Sequence, residues 1–240
     1  MSDDDTTTSE RPAYGMDYQV HAERRSERFV YRTVRLLILI VAKLFGRIEV
    51  HGAERIPDGP FVLAPVHRSN VDFALVCLVT KRRMRYMGKD SIFKYKFLHP
   101  FFDALGGFPV HRGSADREAL RTCIEVIELG QSLVMFPEGQ RQSGPTVQVL
   151  FDGAAYVAAK TGVPIVPVGV GGSEAAMPKG AKMIKPSKLV LVVGEPLPAP
   201  VPTDGGRVSR RAIKAQTEAL HEAIQALFDD AQRRAGTRQQ

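Results

Sequence analysis

Phe61-Val62-Leu63-Ala64-Pro65-Val66-His67-Arg68-Ser69-Asn70-Val71-Asp72 joins an apolar run to a polar turn, and Phe73 to Val79 follows as a second apolar run. The first run comes after the turn-forming Pro57-Asp58-Gly59-Pro60 and reads as a short buried strand. The second is long enough for a helix, and Ser69 and Asn70 between them are N-cap types. His67 therefore belongs to a strand-to-helix turn. The first helical turn can fold Asp72 back onto its imidazole, although the two are five residues apart. A carboxylate on one ring nitrogen fixes the tautomer and leaves the other nitrogen free to take a proton near neutral pH. The spacing alone leaves a second reading open, in which Asp72 caps the helix and His67 is an ordinary loop residue.

Outward from this turn, strand and helix patterns alternate. Ile48 to His51 reads as a strand. Gly106 to Gly113 reads as a strand ending in His111 and Arg112, and Ser114 caps a helix with apolar positions at Leu120, Cys123, Ile124 and Ile127. Ser132 to Phe136 is the next strand and runs into Pro137-Glu138-Gly139-Gln140-Arg141. Val149 to Lys160 is helical, Val163 to Val168 and Leu189 to Val193 are strands, and Pro196 to Pro200 is a rigid connector. Ile213, Thr217, Leu220, Ile224, Leu227, Phe228 and Ala231 form the apolar face of a C-terminal helix that packs on the domain. This order predicts an α/β domain with a mostly parallel sheet flanked by helices, whose ligands bind at the C-terminal ends of strands. His67, Arg112 and Arg141 all follow such ends. Guanidinium forks suit phosphate oxygens, while a surface ion pair, such as Arg141 with Glu138, accounts for each arginine equally well.

The chain has 240 residues, 44% of them hydrophobic, with 33 Lys and Arg against 26 Asp and Glu for a net charge of +7. That length suits one domain with appendages, and the charge favours an anionic partner. Residues 1–16 read as a disordered acidic tail with no cleavable signal. Asp17 to Phe45 reads as a helix, basic through Arg24, Arg25, Arg28, Arg32 and Arg35 and apolar from Leu36 to Ala42. The apolar core is far shorter than the roughly 20 residues that a span requires. It suits either an interfacial helix or a core helix with a solvated basic flank. Lys81 to Phe102 interleaves basic and aromatic residues, a composition suited to single-stranded nucleic acid or to a lipid interface. Cys77 and Cys123 fall in apolar helical patterns and read as buried thiols in a reducing compartment. A P-loop, G-x-G-x-x-G, Cys-x-x-Cys and G-x-S-x-G are all missing from the sequence, which weakens nucleotide-phosphate binding and serine hydrolysis as readings.

Four ordered boxes resemble the 1-acyl-glycerol-3-phosphate O-acyltransferase family. They are His67-Arg68-Ser69-Asn70-Val71-Asp72, Gly107 to Arg112, Phe136 to Arg141, and Val163 to Val168. The resemblance covers roughly residues 30–200 and places the catalytic domain at 47–200, after a membrane-associated helical segment at 17–46 and before a C-terminal helix and polar tail at 201–240. It implies a fold like that of glycerol-3-phosphate acyltransferase and a transfer of a fatty acyl group to lysophosphatidate, the alternatives being glycerol 3-phosphate or another lysolipid as acceptor, or a catalytically silent lipid-binding protein. The donor would be acyl-CoA or acyl-carrier protein as co-substrate, with no metal and no other cofactor. By the same resemblance His67 is the base oriented by Asp72, and Arg112, Glu138, Gly139 and Arg141, with Lys89, bind the glycerol phosphate. Val163, Pro164, Ile165, Val166 and Pro167 shape the acyl-donor site, and backbone N–H groups after His67 complete an oxyanion site. The implied setting is the cytoplasmic face of the cell membrane, with the protein monotopic or peripheral and no nucleic acid partner. Three positions depart from the family pattern: His111, Gln140 and Asp152 stand where Asp, Thr and Lys are usual, which bears on the acceptor head group.

Overall fold

The computed structural model describes residues 20–89, 99–110, 117–202 and 207–237, the side chains of Lys89 and Val110 excepted. The elements in order are α1 Arg25–Gly46, β1 Glu49–His51, β2 Val62–Pro65, α2 Asp72–Leu75, β3 Met84–Lys89, α3 His99–Ala104 and β4 Gly107–Val110. They continue with α4 Arg117–Glu128, β5 Ser132–Val134, α5 Gly153–Thr161, β6 Ile165–Gly171, α6 Ser173–Ala176, β7 Val190–Val193 and α7 Arg210–Ala235. The strands form one seven-stranded sheet in the order β1-β7-β6-β2-β5-β3-β4. Neighbours are parallel except β6 and β7, so β1 and β7 run against the other five.

β2 is central, and Phe61, Val62, Leu63 and Ala64 are wholly buried. Burial of each such large apolar side chain contributes about 1.5–3 kcal/mol, which is why a four-residue strand can stand at the middle of the sheet. One face of the sheet is covered by α7. Gly169 and Gly171 of β6 make that packing close, because a Cβ at either would stand 2.2 Å from the carbonyl oxygen of Leu227 or Ala231. Leu220, Ile224 and Phe228 of α7 are fully buried.

Three elements differ from the sequence reading. The first helix begins at Arg25, and residues 20–24 precede it without helical structure. The second apolar run makes only the single turn of α2 and continues as a 3-10 helix, Val76–Val79. Its end is fixed by Arg35, whose Nε donates to the Cys77 and Thr80 carbonyls at 3.0 and 2.8 Å. The basic stretch before residue 90 contains a strand, β3, that inserts between β5 and β4. A strand that carries Arg85 and follows Arg83 can be internal because Arg85 Nη2 lies 3.2 Å from Asp103 Oδ1 and Arg83 Nη2 lies 3.5 Å from Glu27 Oε2. Buried charges require such partners. The acidic tail 1–16 lies outside the described residues.

Candidate active site

The turn after β2 brings together what sequence spacing could only suggest. His67 Nδ1 and Asp72 Oδ2 are 3.1 Å apart, with the His67 side chain 7% and the Asp72 side chain 0% exposed. The same Asp72 oxygen accepts from the backbone N–H groups of Arg68 and Ser69, both at 2.7 Å. An ionised carboxylate only accepts, so Nδ1 carries the proton and Nε2 is left with its lone pair. The ring is packed edge-on to Phe73 at 5.2 Å and against Phe136 at 4.2 Å between centroids. Asp72 is therefore the partner of His67 and also holds the turn through the Arg68 and Ser69 N–H groups; it does not cap the helix, whose N-cap position is Val71 with no side-chain cap hydrogen bond.

The parallel pairing of β2 with β5 sets the third box beside the first. Leu133 and Met135 N–H groups donate to Phe61 and Leu63, and beyond the strands Gln142 N–H donates to the His67 carbonyl at 2.9 Å. Glu138 enters below this turn. Its carboxylate meets Arg68 Nη1 at 2.8 and 2.9 Å and accepts from the His67 N–H at 3.1 Å and the Gln148 N–H at 3.0 Å. Both side chains of the Arg68–Glu138 pair have no exposure. Arg68 Nη2 and Nε also donate to the Thr146 and Gly144 carbonyls, at 3.0 and 3.2 Å. Glu138 is thus a positioning residue for His67 and the 142–148 segment. Its expected place against a phosphate is corrected, since its carboxylate is closed off by protein donors. Arg68, which the sequence reading passed over, is the other half of this brace, and its only sequence signal was adjacency to His67.

A cavity of about 520 Å³ opens beside His67. Its walls come from α1 through Tyr31, Val34, Arg35 and Ile38, from the α2 turn through Asn70, Phe73, Ala74 and Cys77, and from β3 through Tyr86, Met87 and Gly88. Phe102, Leu105 and Gly107 close another side, and Arg141 joins His67 among the lining residues. The lining is mostly apolar, as suits a long hydrocarbon chain. Burial pushes the Cys77 thiol up to about 12, and it likewise raises the Tyr31 and Tyr86 phenols, so all three are neutral walls at physiological pH. The spacing of Tyr31, Val34, Arg35 and Ile38 along one helix face is the signal that could have marked α1 as a cavity wall.

Other expected residues are placed elsewhere. Val163, Pro164, Ile165, Val166 and Pro167 do not line this cavity; the last three sit in the central strand β6 and are buried there. They pack the core, as a continuous apolar run in a parallel sheet does. Gly139 turns with φ +69°, its N–H donating to Phe136, and a Cβ there would stand 2.7 Å from the Phe151 ring. The N–H groups of His67, Arg68 and Ser69 are committed to Glu138 and Asp72, so these three are not open to an oxyanion. Asp152 accepts from Thr217 Oγ1 at 2.8 Å and ties α5 to α7. Arg112 and His111 lie outside the described residues, as does the side chain of Lys89.

A histidine–carboxylate pair at the wall of an apolar cavity, with Arg141 also among the lining residues, suits an enzyme that transfers acyl groups. The chain belongs to the acyltransferase family, whose model matches residues 47–171. It is 28% identical over 201 residues to the 1-acyl-sn-glycerol-3-phosphate acyltransferase of Bacillus subtilis (strain 168), a match covering 82% of this chain and 96% of that one. The chloroplastic 1-acyl-sn-glycerol-3-phosphate acyltransferase of Arabidopsis thaliana is 31% identical over 144 residues, covering 58% of this chain and 40% of that protein. The crystal structure of the 1-acyl-sn-glycerophosphate acyltransferase PlsC from Thermotoga maritima superposes with a TM-score of 0.68 at 27% identity, covering 84% of this chain and 81% of that one.

Proposed function

We propose that the protein transfers a fatty acyl group from an acyl thioester to the free hydroxyl of 1-acyl-glycerol 3-phosphate, giving phosphatidate. The observation that carries this reading is the His67–Asp72 pair at 3.1 Å, set in the wall of an apolar cavity that Arg141 also lines. His67 Nε2 takes the hydroxyl proton as the oxygen attacks the thioester carbonyl, and Asp72 offsets the positive charge arising on the ring. The C–S bond then breaks, and the imidazolium returns its proton to the leaving thiolate. Arg141, with Arg112 and Lys89, takes the acceptor phosphate, because a bidentate guanidinium matches its oxygens. The names of the relatives support this acceptor. The donor is acyl-CoA, with acyl-carrier protein as the alternative.

The reading includes a membrane at the cytoplasmic face, where both lipids reside. No helix among the described residues is long and apolar enough to cross a membrane. Yet α1 leaves Leu36, Leu37, Ile40, Val41, Leu44 and Phe45 exposed, with Leu44 at 73%. Arg25, Arg28 and Arg32 extend from its other end. Such a helix lies in the interface, its apolar face among acyl chains and its arginines on anionic head groups.

The test is thiol release from palmitoyl-CoA by detergent-purified protein, with and without lysophosphatidate. Acceptor-dependent release with phosphatidate as product is expected, falling roughly 10²–10⁴-fold or more in His67→Ala. Release that ignores the acceptor would make the protein a thioesterase. No release with CoA or carrier-protein donors, and with any lysolipid, would leave a lipid-binding protein.

A further inference from the structure

β6 runs parallel to β2, whose C-terminal end carries His67, and β7 returns antiparallel to β6. The connection between them therefore lies at the sheet edge that holds the candidate site. Its start is tied to that site, since Ser69 Oγ donates to the Met177 carbonyl at 2.7 Å. Its end is tied to α1: the Leu189 N–H donates to the Gly46 carbonyl at 2.8 Å, and Gly46 backs directly onto Leu189 and the Ser187 carbonyl. Residues 177–188 thus bridge the turn that carries His67 and the end of α1 that exposes Leu44 and Phe45.

The composition of this connection is unlike that of a solvated loop. No acidic residue occurs between Glu174 and Glu195. Lys179, Lys182 and Lys185 are exposed, while Lys188 is drawn back to Glu49 at 2.9 Å. Between those exposed lysines, Met183 is 79% and Ile184 58% exposed. A turn facing only water gains nothing from two large apolar tips, and the connection that carries them is joined through Leu189 to the end of α1 that exposes Leu44 and Phe45. Lys43 and Arg47 add exposed cations at the α1 end.

We propose that residues 177–188 form a second bilayer-contacting element, with Met183 and Ile184 inserted at the boundary of head groups and acyl chains and Lys179, Lys182 and Lys185 on anionic lipid phosphates. This rests on the interfacial reading of α1. An acidic protein partner would match the lysines but leave the apolar tips unused, whereas an anionic bilayer takes both. The consequence is orientation. A single interfacial helix is free to roll about its axis; a second attachment across the site removes that freedom and turns the edge bearing His67 toward the lipid surface. Two linked contacts also strengthen each other without any new interaction.

The full chain carrying Met183→Cys, labelled with an environment-sensitive fluorophore, tests this directly, with Ile184→Cys as a second reporter and Leu44→Cys as a reporter on α1. Cys77 and Cys123 are buried and their thiols are pushed up to about 12, so the introduced thiol takes the label. Vesicles of phosphatidylcholine with phosphatidylglycerol, containing nitroxide-labelled acyl chains, are expected to blue-shift and quench labels at 183 and 184. Replacing Lys179, Lys182 and Lys185 together by Gln is expected to weaken partitioning to these vesicles roughly 10- to 100-fold, and far less to pure phosphatidylcholine. If the labels at 183 and 184 stay unquenched while that at 44 is quenched, the proposal fails and the reading of α1 stands. If none is quenched, both fail. A label at 183 that responds to an added acidic carrier protein, and not to vesicles, would overturn the proposal in favour of a protein partner.

Discussion

Asp72 performs two tasks with one oxygen, accepting from two backbone N–H groups and from the His67 ring. Asp72→Asn separates them, because an amide oxygen still accepts from the backbone while the charge is gone. We expect kcat to fall roughly 10²–10⁴-fold, the scale of positioned acid–base catalysis, with a melting temperature close to that of the wild type. A variant that loses activity only in proportion to its folded fraction would reduce Asp72 to an acceptor that holds the turn. The neighbouring Arg68–Glu138 pair has no exposure, so its worth lies in being complete. Glu138→Gln leaves the Arg68 guanidinium buried without a counter-charge, a change expected to cost about 3–5 kcal/mol in denaturant titrations. Combining it with Arg68→Met removes the stranded charge, and the double variant should be less destabilised than the sum of the singles.

Among the elements, α7 and β6 depend on each other's backbones. Gly169 faces the Leu227 carbonyl so closely that any Cβ would stand 2.2 Å from its oxygen, with backbone atoms and no flexible side-chain end to yield. Gly169→Ala should therefore lower the melting temperature by far more than the ordinary glycine-to-alanine effect of less than about 1 kcal/mol, which runs in the opposite direction at unstrained sites. Calorimetry would decide the sign. α1 is joined to the sheet in a different way, through charge. Asp103 at the end of α3 meets Arg85, and His21 Nε2, just before α1, lies 2.7 Å from Asp103 Oδ2 and 3.8 Å from Glu27 Oε1. The Ala22 carbonyl accepting from the other ring nitrogen, together with Asp103 and Glu27, raises the His21 pKa above its ordinary 6.5, against an opposing effect of burial. A raised value in the folded state means that protonation stabilises. The contribution is fully present below pH 6.5 and is lost as pH rises through the folded value. The difference in melting temperature between wild type and His21→Gln should accordingly shrink from pH 5.5 to 8.5, and a difference that grows would refute the assignment.

Across the molecule, the strand order is what assembles the site. β2 lies between β5 and β6, so the turn after β2 meets the Glu138 to Arg141 turn on one side and the 177–188 connection on the other. The alternating apolar runs announced most strands and the C-terminal helix, because burial in a parallel sheet demands continuous apolar segments and a packed helix demands a periodic face. The His67–Asp72 spacing likewise signalled the contact between the two side chains, since both belong to one local turn. β3 was not legible: the stretch with Arg83 and Arg85 had the composition of a nucleic-acid or lipid interface, and their counter-charges, Glu27 and Asp103, are distant in the chain. Nor could local pattern tell that Val163 to Pro167 fill the core and do not line the cavity, for an apolar run looks the same in either place. Chemistry confined to a few consecutive residues is written in their order, as in the turn from His67 to Asp72. The cavity wall from α1, the Arg68–Glu138 brace and the neighbours of the buried arginines join residues far apart in the chain. Only the packed chain determines them, because they depend on which surfaces meet.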